Sequence, residues 1–231
     1  MSSRGPIDQQ TWGVPGGDTR VESGVDTRAI FGQTMFLVAI TAGFAALGAY
    51  VGQHFTSGTS LLAYIAAFGI MLGMSFARKA QNGSLGMGLL FAFGLLLGIA
   101  VAPTIAHYAN SPSGSTVLWQ AATLTGLFIA GFGCVGYATK RDLSKAMRIA
   151  MFGLLGLIIV GFLSIFISIP SFNMIWSIVG LAIFSVFTMY DFQRIHRAGE
   201  ADVIMLAMSI FLDVFNVFLM MLSLLGGGGR R

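Results

Sequence analysis

After residue 28, seven apolar stretches of about 18–24 residues follow one another with only short polar breaks. At 1.5 Å rise per residue, each can cross a hydrocarbon core of roughly 30 Å as an α-helix. The spacing predicts helices over 30–52, 60–77, 84–107, 116–138, 147–169, 174–195 and 203–225. The runs are continuously apolar rather than alternating, and too long for barrel strands. The expected class is therefore all-α, a polytopic membrane protein folded as a seven-helix transmembrane bundle. Composition agrees: 10% of the residues are charged, against roughly 25% in a soluble domain.

Residues 1–28 differ from the rest. Gly5, Pro6, Pro15, Gly16 and Gly17 break any periodicity there, among four acids and three arginines. With no apolar core followed by a small-residue cleavage site, the segment does not read as a signal peptide. It is expected to be a disordered cytoplasmic tail, with residues 29–231 forming one transmembrane domain.

The net charge is +4, and its distribution is topological. Arg78-Lys79, then Lys140-Arg141 with Lys145 and Arg148, then Arg194 and Arg197 follow the second, fourth and sixth helices. The alternate loops, 53–59, 108–115 and 170–173, contain no Lys or Arg. Basic loops stay in the cytoplasm, which places the amino terminus there. Seven spans put the carboxyl terminus outside, although Arg230-Arg231 argues mildly for a partial last span. No basic stripe is interleaved with aromatics, so nucleic acid is not an expected partner. Membrane lipids are.

Glycine is abundant, and Gly48/Gly52, Gly69/Gly73 and Gly94/Gly98 have the GxxxG spacing that lets helix backbones approach in lipid. The expected use is packing within the chain. Cys134 is the lone cysteine and reads as a small packing residue.

Only two acids fall inside apolar runs. Asp213 lies about 15 Å into the last helix, and Asp191 lies near the end of the sixth, in Tyr190-Asp191-Phe192-Gln193. An ionisable group at such a depth costs on the order of 2.5–3.5 kcal/mol and usually faces the bundle interior or a watery cavity. The bland readings are a carboxyl acting as glue between helices for Asp213, and pairing with Arg194 at the interface for Asp191. The sixth and seventh helices are antiparallel neighbours joined by a short loop, which can bring both carboxyls together. Such a pair cannot ionise freely and titrates as a unit. One geometric tension stands: Asp213 looks deeper than Asp191. The pair needs the sixth helix to extend past Arg194, or the seventh to begin below the membrane surface.

Other constellations give less. No Lys follows Lys145, so a retinal Schiff base in the last helix is excluded. His54, His107 and His196 lie at helix ends without HExxH spacing. His54 and His107 could share the outer face as weak metal or proton sites, against the simpler reading of solvated loop histidines. Ser164 and Ser168 suit back-bonding to helix carbonyls. Catalysis finds no support in these residues, and an enzyme is not expected.

Three segments carry a family likeness. Residues 136–144, Gly-Tyr-Ala-Thr-Lys-Arg-Asp-Leu-Ser, resemble the loop after the fourth helix in bacterial members of the Bax inhibitor 1 family. Tyr190-Asp191 is similar to that family's motif in the sixth helix, and residues 211–219 are similar to its Leu-Asp-Phe-x-Asn-x-Phe stretch in the last. The resemblance implies a bundle with the last helix at its centre. It also implies a pH-sensitive calcium leak, with Asp191 and Asp213 as proton sensor, ion gate and weak calcium ligands. An arginine at the end of the second helix, here matched by Arg78, would latch against one of them. The chain departs from the family in a shorter loop between helices six and seven, and in Phe211 where Tyr is usual.

The expected function is a pH-sensitive calcium or other cation leak channel in a bacterial inner membrane, with calcium ions and protons as partners. No cofactor is expected beyond a transient calcium ion, because calcium prefers six to eight oxygens and two carboxylates are too few for storage. The alternatives are a non-conducting regulator that binds other membrane proteins, such as a quality-control protease, and a proton-coupled transporter of a small solute.

Overall fold

The computed structural model describes residues 27–79, 83–164 and 172–227. Seven α-helices are present: α1 (Thr27–Gly52), α2 (Ser57–Lys79), α3 (Gly83–Ala109), α4 (Gly114–Ala138), α5 (Ser144–Leu163), α6 (Phe172–Arg194) and α7 (Val203–Gly227). All are long and apolar enough to cross a membrane. No strand occurs among the described residues. Residues 1–26, 80–82, 165–171 and 228–231 lie outside them, and with them most of the expected tail, the expected end of the fifth helix and Arg230-Arg231, whereas Thr27 and Arg28, expected in the tail, already belong to α1.

Helix starts run up to three residues earlier than hydropathy predicts, because a first turn can be polar and still helical. At α5 the Asp142 carboxylate accepts hydrogen bonds from the Ser144 amide at 3.0 Å and the Ser144 hydroxyl at 2.7 Å. This satisfies a first-turn donor that the helix leaves without a partner. The two bonds, led by the hydroxyl, hold the Asp142 carboxyl below its ordinary range.

Glycines decide how α1 and α3 meet. A Cβ on Gly48 would strike the Leu95 carbonyl of α3, and one on Gly98 would strike the Ala45 carbonyl of α1. Gly52 and Gly94 meet the opposite helix in the same way. Two of the expected pairs thus interlock as a single seam, the most extensive helix contact in the bundle. Gly69 and Gly73 on α2 face open space instead. For that pair, spacing reflects no contact within the chain.

The last helix forms the centre. α7 packs on α6, α4, α1 and α3, and Leu206, Ala207, Ile210 and Val217 are fully enclosed. Phe211 lies edge-on to Phe93 of α3, ring centroids 6.1 Å apart. It is buried among apolar groups, and a Tyr hydroxyl there would need a partner. α2 packs on α3, and α5 packs on α6 while barely touching α7. The gap that this leaves between α5 and α7 is the setting of the site.

Candidate functional site

The structure brings Asp191 and Asp213 together. Two 3-10 turns, Ile195–Arg197 and Glu200–Asp202, connect α6 to α7. The first carries α6 beyond Arg194, and Ile195 and Val203 on either side of the turn are buried. The sixth helix is therefore extended and the seventh starts inside the protein, which resolves the mismatch in depth. Both carboxyls are almost fully enclosed, at 2% and 3% exposure. They line one cavity of about 400 Å³ between α5, α6 and α7 and lie within electrostatic reach of each other.

Their surroundings differ. Asp191 Oδ1 accepts a bond from the Arg194 guanidinium at 3.2 Å, three residues on along α6. Arg194 also lies over the Tyr190 ring, 5.9 Å from its centroid. Ser209 of α7 approaches Asp191 from across the helix pair. Among the described residues, no ion pair is formed by Asp213. Thr188 brings its hydroxyl near Asp213, yet among the described residues neither Thr188 Oγ1 nor Asp213 Oδ2 has a hydrogen-bond partner. The Arg194 guanidinium balances one carboxylate, so these three side chains together are neutral when the two carboxyls share one proton. An unpartnered buried carboxyl oxygen is costly to keep, so it marks a place where a proton or an ion can act.

The remaining lining is mixed on α7 and apolar on α5. Ser209 and Asn216 stand one turn to either side of Asp213, and Met147, Met151, Leu154, Leu157 and Ile158 close the opposite wall. The Asn216 amide nitrogen donates to the Leu212 carbonyl at 2.8 Å. Among the described residues, no group of three His, Cys, Asp or Glu gathers as a metal site.

Sequence reasoning missed Gln193. It is buried, and its amide donates to the carbonyls of Thr139 at 3.0 Å and Arg141 at 2.6 Å. Its side-chain oxygen accepts from the Leu143 amide at 3.2 Å. This side chain fastens the α4–α5 loop to the end of α6, so two segments singled out for their sequence are physically joined. His196 adds a 2.8 Å contact between its ring nitrogen and the Tyr137 carbonyl. A signal existed in the sequence: a long amide directly beside a membrane aspartate, opposite a polar loop.

The other candidates fall elsewhere. The side chain of Arg78, the expected latch, lies outside the described residues. His54 is exposed at the end of α1, and His107 borders a polar pocket at the end of the bundle opposite the basic loops. Cys134 is exposed on α4, lining a broad apolar groove between α1 and α4 rather than packing in the core.

Comparison with known proteins gives one consistent answer. A model of the family described as "Inhibitor of apoptosis-promoting Bax1" matches residues 27–230. An uncharacterized membrane protein of Vibrio cholerae is 30% identical over 208 residues, covering 89% of this chain and 92% of the relative. The Escherichia coli K12 protein named modulator of FtsH protease YccA is 26% identical over 210 residues, covering 89% and 93%. The protein of E. coli O6:H1 named inner membrane protein YccA matches to the same extent.

Proposed function

Given that the chain belongs to the Bax inhibitor 1 family, we propose that it is a pH-sensitive cation leak, with calcium as its cargo, gated by Asp191 and Asp213. The observation that carries the reading is Asp213 Oδ2, enclosed and unpartnered on a cavity that it shares with the carboxyl of Asp191. When the pair holds a proton, the cavity is neutral around Arg194 and offers a cation little. When the proton leaves, the second negative charge is free to attract one. Two carboxylates with a Ser hydroxyl and an Asn oxygen fall short of the six to eight oxygens that calcium prefers. Water completes the shell, the ion is held weakly, and weak holding suits passage. The basic loops lie in the cytoplasm, and the membrane is the bacterial inner membrane, as in the name of the E. coli O6:H1 relative.

The test is calcium flux into liposomes holding the purified chain, measured across about pH 5–8. The native protein is compared with Asp191→Asn and Asp213→Asn. A pH-dependent flux that either substitution flattens is the expected result. Flux no greater than in empty liposomes at every pH would overturn the reading.

A second reading is favoured by the printed name of the E. coli K12 relative, a modulator of FtsH protease. In it the chain binds another membrane protein and conducts nothing. Such a regulator retains its partner after Asp213→Asn, which separates the two readings.

A further inference from the structure

The polar pocket at the end opposite the basic loops has a volume of about 330 Å³. Thr104, His107 and Tyr108 from α3, Asn173 from α6 and Ser223 from α7 line it. Its relation to the aspartyl cavity is read from helix register. On α7, Ser209, Asp213, Asn216, Met220 and Ser223 follow at spacings of four and three, which places them on one stripe. The first four line the aspartyl cavity, and Ser223 lines the polar pocket. On α6 the two spaces come equally close. Trp176 borders one and Asn173 the other, about 4.5 Å apart along the helix axis. The aspartyl cavity itself runs from Asp191 to Trp176, about 22 Å of α6.

We infer that the polar pocket is a site for a hydrated cation and the second mouth of the path through the aspartyl cavity, closed from it by Met220 and Trp176. This rests on the leak reading. Both closing side chains sit against glycines. The Met220 thioether occupies the place of a Cβ on Gly180 of α6, and the Trp176 indole covers Gly161 of α5. Met220 has three rotatable bonds and a soft thioether, so it can leave that hollow without moving a helix. The pocket supplies hydroxyls, an amide oxygen and an imidazole but no carboxylate among its lining residues. Such neutral donors replace part of a hydration shell and leave the rest in water. The ion would be collected there and released onward to the carboxyls.

The test uses the full chain in liposomes with Cys134→Ser as background. Asn216→Cys and Ser223→Cys are probed with a cationic, membrane-impermeant methanethiosulfonate applied at the pocket side. Ser223→Cys should react readily, and millimolar calcium should slow it by about threefold or more. Asn216→Cys should react at least about tenfold more slowly, and Met220→Ala should restore its rate while Met220→Leu should not. Equal rates at both cysteines with Met220 present would overturn the barrier, as would no effect of Met220→Ala. Absence of calcium protection would overturn the cation site. Thiol access needs no ion flux. A barrier seen in a protein without native flux sinks the leak reading while sustaining the connection between the two spaces.

Discussion

Replacing Gln193 with Met keeps the length of the side chain and removes both of its polar ends. Three hydrogen bonds to the α4–α5 loop are lost, those to Thr139, Arg141 and Leu143. Each contributes about 0.5–1.5 kcal/mol net, so the loop loses on the order of 3 kcal/mol of anchorage. At 1.36 kcal/mol per tenfold, that raises the population of the open loop about 100-fold. Lys140 and Arg141 are exposed in this loop and offer trypsin two adjacent cleavage sites. Where opening and closing are fast relative to cleavage, the cleavage rate follows the open population. Limited trypsin digestion of protein in detergent micelles should therefore cut Gln193→Met after Lys140 or Arg141 about 100 times faster than the native chain. Cleavage within about twofold of native would refute the claim that this amide holds the loop.

Two further outcomes follow from packing and from charge. Gly98→Ala places a Cβ on the Ala45 backbone carbonyl and should cost about 3 kcal/mol, the upper end of overpacking, whereas Gly69→Ala meets open space and should be neutral or slightly stabilising; equal thermal melting of the two variants in detergent would contradict the seam. Asp142 has a carboxyl held below its ordinary value by Ser144, so its support of the first turn of α5 is present above about pH 4 and is lost as pH falls through the lower folded value. Amide exchange at Ser144 should be faster in Asp142→Ala than in the native chain at pH 7 and alike in both at about pH 2, and a difference that persists in acid would exclude the carboxylate as the cap.

Membrane segments are legible from sequence because lipid imposes one rule, that backbone polar groups be satisfied within the helix, and the rule has a length attached. That is why all seven helices were placed and why their ends were not. The start of α5 depends on an Asp142 cap that hydropathy cannot register. Asp191 and Asp213 stood out because charge is rare at membrane depth, and the alignment of the two followed only once the buried turn after Arg194 was seen. Ser209 and Thr188 gave no signal, since hydroxyl side chains in membrane helices commonly bond to their own carbonyls, and Asn216 was marked only by the family motif, which does not show that its amide bonds to Leu212. GxxxG spacing marks where two helices are able to approach, which is why it named the α1–α3 seam and equally a pair on α2 that touches nothing in the chain. Arg78 shows the reach of resemblance alone: it fixed a position on α2 without saying what the side chain meets.

The central place of α7 has a consequence for biosynthesis. The segment around which α1, α3, α4 and α6 pack is synthesised after all of them. Until then the first six helices form an open shell, its hollow filled by lipid and Asp191 without the helix that carries its counterpart. A chain released before about residue 203 exposes a half-satisfied charge to hydrocarbon, a cost of several kcal/mol. Arrival of α7 is the step that turns the shell into a protein, so a single late event both completes the core and assembles the aspartyl pair.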